Sequence, residues 1–214
     1  MKKILYLGLD IPSALQNKNV CHCPLISIVS RSTNDALINQ AFKKFADYTH
    51  LIFTSKTAVR IFFDMARSFG ISIEGIRSKT LISVGQSTAA RMKKEGVTAQ
   101  YIATEETAEG VITVLSGMDL KNPYFLLPQS SIARSVITNW LEGQKIIYLA
   151  CPIYDTMPNI PKDLPLLANF DEIFFTSPSV VDAFIQAYGS LPHDKILTAI
   201  GSVTGRYLQS ILGN

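Results

Sequence analysis

The sequence is short of the residues that most often carry chemistry. It has 3 cysteines, 3 histidines and 1 tryptophan in 214 residues. An odd cysteine count implies no disulfide framework. Cys21-His22-Cys23 looks like a metal ligand set, yet neighbours on a strand alternate faces. No second CxxC or HxxxH pair completes a tetrahedral site, so buried structural cysteines are expected and no metal. GxSxG, Walker, GxGxxG and HExxH motifs are absent. His22, His50 and His193 are scattered and read as surface or strand-end residues. No apolar run reaches membrane-spanning length. The six apolar residues 4–9 behind two lysines are short for a signal peptide and lack a cleavage site, so a cytoplasmic protein is expected. With 20 basic against 17 acidic residues, the net charge of +3 is too mild to argue for nucleic acid but suits small anionic ligands.

What is present is alternation. Short apolar runs fall at 4–8, 50–54, 80–84, 99–102, 124–127, 145–149, 172–176 and 196–200, with helical patterns between them. This order calls for βαβ units and parallel sheets covered by helices. Val59, Phe62, Phe63, Ala66 and Phe69 form one apolar stripe at helical spacing, with Arg60, Asp64 and Arg67 facing away. Val181, Phe184, Ile185 and Tyr188 repeat the stripe. Both are core-packing faces.

The chain also repeats itself. ADYTHLIFTSKTAVRIF (46–62) aligns without gaps on ANFDEIFFTSPSVVDAF (168–184). LISVGQSTAARMKKEG (81–96) matches LTAIGSVTGRYLQSILG (197–213) with one extra residue. Each half has a strand ending in Thr-Ser, a helix, a strand ending in Gly-x-x-Thr and another helix, as two diverged copies of one α/β unit would. CPLISIV (23–29) and CPIYDT (151–156) are extended segments led by Cys-Pro, and a proline does not suit the centre of a sheet. They fit two crossings between domains. The expected division is 1–26 plus 154–214 as a discontinuous first domain and 27–153 as the second.

In parallel sheets, ligands bind outside the carboxyl ends of the strands, where these repeated polar residues lie. Ser55 and Ser177 are natural N-caps, with Pro178 at the first helical position. Thr88 and Thr204 fall in first helical turns after Gly85 and Gly201. Capping alone explains one serine per helix start. The recurrence of Thr-Ser and Gly-x-x-Thr equally fits two sets of N–H and hydroxyl groups for a polyanion. Glu105-Glu106 precedes a helix, where dipole complementarity accounts for a pair of acids.

The ordered signatures PLISIV, DYTHLIFTSKTAV, SVGQSTAARMKKEG, AEGV (108–111), FLLPQSSIARSVI (125–137), PIYDT (152–156), FTSP and AIGSVT resemble the uroporphyrinogen-III synthase family across almost the whole chain. The resemblance implies two parallel-sheet, flavodoxin-like α/β domains, joined by a two-stranded connector, with the active site in the cleft between them. It implies that the protein, without metal or organic cofactor, cyclises linear hydroxymethylbilane to uroporphyrinogen III with ring D inverted; a monomer is expected. The route runs through an azafulvene and a spiro-pyrrolenine. Such chemistry rests on holding one conformer, since spontaneous closure gives the type I isomer.

On matching positions the resemblance makes Ser55, Thr88, Ser177 and Thr204 binders of the substrate's carboxylate arms. Gln129, Ser130 and Arg134 match the family's segment after a strand, and Arg134 is suited to a carboxylate. Tyr154 is the candidate proton donor to the departing hydroxyl, or else an aromatic packing beside the connector. Lys56 adds a cation at the first helix start, or is a solvated lysine. The sequence departs from the family at LGLDIP, where many members carry Thr-Arg-Pro. It also stops at Gly213-Asn214, where members continue with a strand and helix, so an exposed sheet edge is expected in the first domain. The alternatives to an enzyme are a non-catalytic two-lobed module binding a polycarboxylate or tetrapyrrole, and a structural α/β domain with duplicated caps.

Overall fold

The computed structural model describes residues 2–213. The elements of the first half are β1 (Lys3–Tyr6), β2 (Asn19–His22), β3 (Ile26–Ser30), α1 (Ala36–Lys43), β4 (His50–Phe53), α2 (Lys56–Ser68), α3 (Ile73–Arg77), β5 (Thr80–Ser83) and α4 (Gln86–Lys94). There follow β6 (Tyr101–Ile102), α5 (Ala108–Ser116), β7 (Tyr124–Ser130), α6 (Val136–Gly143), β8 (Ile147–Pro158), β9 (Glu172–Phe175), α7 (Pro178–Tyr188), β10 (Ile196–Ala199) and α8 (Ser202–Leu212). These form two compact units, one of residues up to Ile28 with those from Thr156 on, the other Val29–Asp155. The chain passes between units inside β3 and β8, which places Tyr154 in the unit that also holds Ser55.

The discontinuous unit has a parallel sheet in the order β10-β9-β1-β2. Counted along its own strands this is 2-1-3-4, the flavodoxin order over four strands. Central β1 is buried on both faces through Ile4, Leu5 and Tyr6, as a parallel strand between helical layers must be. Leu5, Ile173 and Phe175 pack with Val181 and Phe184 of α7 and Leu208 of α8. Phe175 and Phe184 meet edge to face at 5.3 Å. β10 is an edge strand, with Ile196 on it and Ile200 just past it exposed.

The continuous unit has the order β3-β8-β7-β4-β5-β6. Counting β4 to β8 as its own strands gives 3-2-1-4-5, so the reversal of strand order falls between β4 and β7, and β3 is added at the edge. The apolar stripe of α2 lands as its periodicity requires, with Val59, Phe62, Phe63 and Ala66 buried and Arg60, Asp64 and Arg67 exposed.

One expectation fails here. Residues 147–149 and 151–156 are not separate segments but parts of one strand, β8, which lies inside the sheet between β3 and β7. Its proline is accommodated by an irregularity. The register to β7 runs Gln129 to Pro152 and then Ser130 to Tyr154, leaving Ile153 out of that ladder. The Ile153 carbonyl instead accepts the Arg31 N–H at 3.0 Å. Residues 19–22, a strand too short and polar-ended for its pattern to announce, pair in parallel with β1.

Candidate functional site

The carboxyl ends of β4 and β7, with the part of β8 that lies opposite the end of β7, bring three hydroxyls together. Ser55 follows β4 in extended conformation and caps α2, its Oγ accepting the Ala58 N–H at 2.9 Å. The same Oγ lies 3.1 Å from the phenol oxygen of Tyr154. Ser130, the last residue of β7, bonds that phenol as well. The irregularity after Pro152 sets the facing of Tyr154, the use to which a bulge beside a site is commonly put. Tyr154 is 6 % exposed. Burial raises its pKa above the ordinary phenol value, and the bonds from Ser55 and Ser130 pull it part of the way back. The phenol is therefore neutral and oriented, the condition a proton donor must meet.

The next residue anchors this arrangement. Arg31, just past β3, grips Asp155 with two bonds, Nε to Oδ2 at 3.0 Å and Nη2 to Oδ1 at 2.8 Å. The Arg31 guanidinium, followed by the Ser131 hydroxyl, holds the Asp155 carboxyl below its usual range. The Ser131 N–H donates to the Tyr154 carbonyl at 3.0 Å. Neither Arg31 nor Asp155 was a sequence candidate. The pair is 124 positions apart, and nothing local to either residue signals it.

The remaining candidates do not join this cluster. Thr88 is 2 % exposed in the first turn of α4. The start of that helix already carries a carboxylate, because Glu106 Oε1 accepts the Gln86 N–H at 2.9 Å. Glu106 thus serves α4 and not the helix it precedes in sequence, α5, whose N-cap is Thr107, accepting from Gly110 at 3.0 Å. A Cβ on Gly85 would overlap the Glu106 carboxyl at 2.4 Å, so the close approach requires glycine there. Arg134 does engage a carboxylate, that of Glu109 in the first turn of α5, at 3.3 Å. Lys56 is exposed at the first position of α2, and Gln129 is half-buried on β7.

In the other unit, Ser177 occupies the N-cap position of α7 without capping through its side chain. Its hydroxyl bonds that of Ser179 at 2.9 Å, so the expected cap at this helix is not made. Thr204 is 3 % exposed in the first turn of α8. Cys21-His22-Cys23 shows no metal geometry: His22 Nε2 is bonded to the Gly8 carbonyl at 2.7 Å. Among the described residues no group of three or more His, Cys, Asp or Glu is placed to hold a metal ion. None of the described helices is long and apolar enough to cross a membrane.

A family model described as uroporphyrinogen-III synthase HemD matches residues 16–211. The porphyrin biosynthesis protein HemD of Ruminiclostridium josui is 28% identical over 184 residues, covering 83% of this chain and 36% of that protein. The chain therefore spans about a third of the length of that relative. A uroporphyrinogen-III synthase of Chlorobaculum parvum is 21% identical over 173 residues, 77% of this chain and 70% of its own. Among solved structures, a mutant uroporphyrinogen III synthase from Thermus thermophilus superposes with a TM-score of 0.71 at 15% identity, covering 98% of this chain and 89% of that one. The Helicobacter pylori uroporphyrinogen-III synthetase gives 0.63 at 16% identity, covering 100% and 90%. At these identities the structures speak for the fold.

Proposed function

Because the chain belongs to the uroporphyrinogen-III synthase family, we propose that it cyclises hydroxymethylbilane to uroporphyrinogen III with inversion of ring D, in tetrapyrrole biosynthesis. The observation that carries the chemistry is the buried phenol of Tyr154, held by Ser55 and Ser130 at the strand ends. Tyr154 gives its proton to the terminal hydroxyl of the substrate. The C–O bond breaks, water leaves, and the electron pair comes from the pyrrole nitrogen. The pyrrole N–H then returns a proton to the phenolate, so the net loss is one water and the product is an azafulvene. Attack by the substituted carbon of ring D gives the spiro-pyrrolenine, which fragments and closes in the inverted sense. The pyrrole supplies most of the driving force, so the protein's contribution is chiefly positioning, worth ~7–11 kcal/mol in favourable cases.

The substrate's carboxylate arms meet exposed Lys56, half-buried Gln129 and the N–H groups of the helix starts that Thr88, Ser177 and Thr204 belong to. Arg134 takes an arm by exchanging it for Glu109, an exposed pair that costs roughly 0–1 kcal/mol to open. We read the protein as a cytoplasmic monomer whose partner is this small molecule, with neither cofactor nor nucleic acid. The test is an isomer assay on hydroxymethylbilane, with type I and type III uroporphyrins separated after oxidation. Type III above the spontaneous background is expected, and type I alone from folded protein would leave a non-catalytic binding module.

A further inference from the structure

The geometry points to Ser55 and Ser130 as positioning residues that act through Tyr154, donating their hydroxyl protons to its phenol oxygen. This rests on Tyr154 as the proton donor and changes the part the two serines play, from holding substrate to preparing that donor. The argument begins with the lone pairs of Ser55 Oγ. One already accepts the Ala58 N–H at 2.9 Å, from the first turn of α2, where the amide N–H groups point out of the helix. That bond withdraws electron density from the oxygen and strengthens its remaining O–H as a donor, as chains of hydrogen bonds do. The phenol of Tyr154 lies 3.1 Å away.

Were Tyr154 the donor in this contact, its proton would be spent on Ser55 and none would face a leaving group. With Ser55 as donor, the phenol oxygen accepts and its own proton is free. Ser130, paired with Tyr154 across the β7–β8 ladder, bonds the same phenol as a second donor, while its own Oγ receives the Ile132 N–H at 3.4 Å. When the Tyr154 proton passes to the departing hydroxyl and water leaves, the phenolate is met by two donors already in place. Preorganised donors aimed at a developing oxyanion are among the larger contributions an enzyme makes.

A double-mutant cycle tests this. Ser55→Ala and Ser130→Ala are each expected to lower kcat about tenfold with KM within a factor of about two, as loss of one donor to a developing charge should. Ser55→Thr restores most of the rate. In a Tyr154→Phe background neither serine substitution costs anything further. Ser55→Ala also removes the cap of α2, so Ser130→Ala, which caps no helix, is the control for folding. A rise in KM at unchanged kcat, or an equal loss in the Phe background, overturns the inference and returns the serines to direct substrate binding. The 13C resonance of the Tyr154 Cζ separates the two levels. If it does not move when either hydroxyl is removed, the inference fails even with Tyr154→Phe inactive. If Tyr154→Phe retains the full rate, the donor reading itself fails.

Discussion

Glu106 accepts the backbone N–H of Gln86 at 2.9 Å, so a carboxylate of the chain itself sits over the first turn of α4. Under the proposed function a carboxylate arm of the substrate takes that same helix start, where the two anions would compete for the same N–H groups. Removing Glu106 therefore weakens the helix and frees the position. Glu106→Ala is expected to cost ~0.3–1 kcal/mol of stability and to lower KM for hydroxymethylbilane by about threefold. Thermal melts and steady-state kinetics check the two parts separately. An unchanged KM would make Glu106 a cap and nothing more. Gly85→Ala, whose Cβ would displace the same carboxyl, should reproduce the KM effect.

The Arg31–Asp155 pair gives stability an acid limb. Asp155 is held below its ordinary value of 3.8, first by Arg31 and then by Ser131. A carboxyl depressed on folding contributes stability that is present above 3.8 and is lost as pH falls through its lower folded value. Arg31→Gln should therefore be destabilising at neutral pH, and the difference from wild type should shrink below about pH 4. Urea unfolding between pH 2 and 7 measures it. Because Asp155 adjoins Tyr154, the same variant should lower kcat without unfolding the protein.

Cys151 sets an alkaline limb. It is 0% exposed, and burial, with Asp35 adding to it and Arg31 opposing, pushes its thiol from 9.0 up to about 12. A group raised on folding contributes stability that is whole below its unfolded value and is lost as pH climbs toward the folded one. Burial raises Tyr188 to about 12 in the same sense. Stability should fall from about pH 9 to about pH 12, and Cys151→Ala should flatten part of that slope. Equilibrium unfolding across this range checks the expectation.

Phe62 is 0% exposed and its ring lies 5.4, 6.0, 5.2 and 5.5 Å from those of Phe42, Phe45, Phe53 and Phe63. Phe62→Ala empties the joint of α1, α2 and β4 and should cost ~3–5 kcal/mol. Phe69→Ala, at the partly covered end of the same stripe, should cost less. Denaturant midpoints of the two variants decide the order.

The elements were legible because their causes are local. The period of Val59, Phe62, Phe63 and Ala66, and the strand runs that alternate with such stripes, follow from which face must be buried. The Thr-Ser repeat likewise marked the strand ends correctly. Strand order was not legible in the same way: the two units reverse at different places, and β8 enters the interior of its sheet despite Pro152 because the ladder can drop a residue there.

The sequence by itself determined the family, the α/β alternation and the strand ends, since periodicity, turn residues and helix starts act over a few positions. What each polar group touches was decided only by tertiary structure. Ser55 and Ser177 stand in the same repeated phrase, yet Ser55 caps its helix and meets Tyr154, 99 positions away, while Ser177 turns to Ser179. A hydrogen bond reaches about 3 Å, and which donor comes within that reach depends on how distant strands are set side by side.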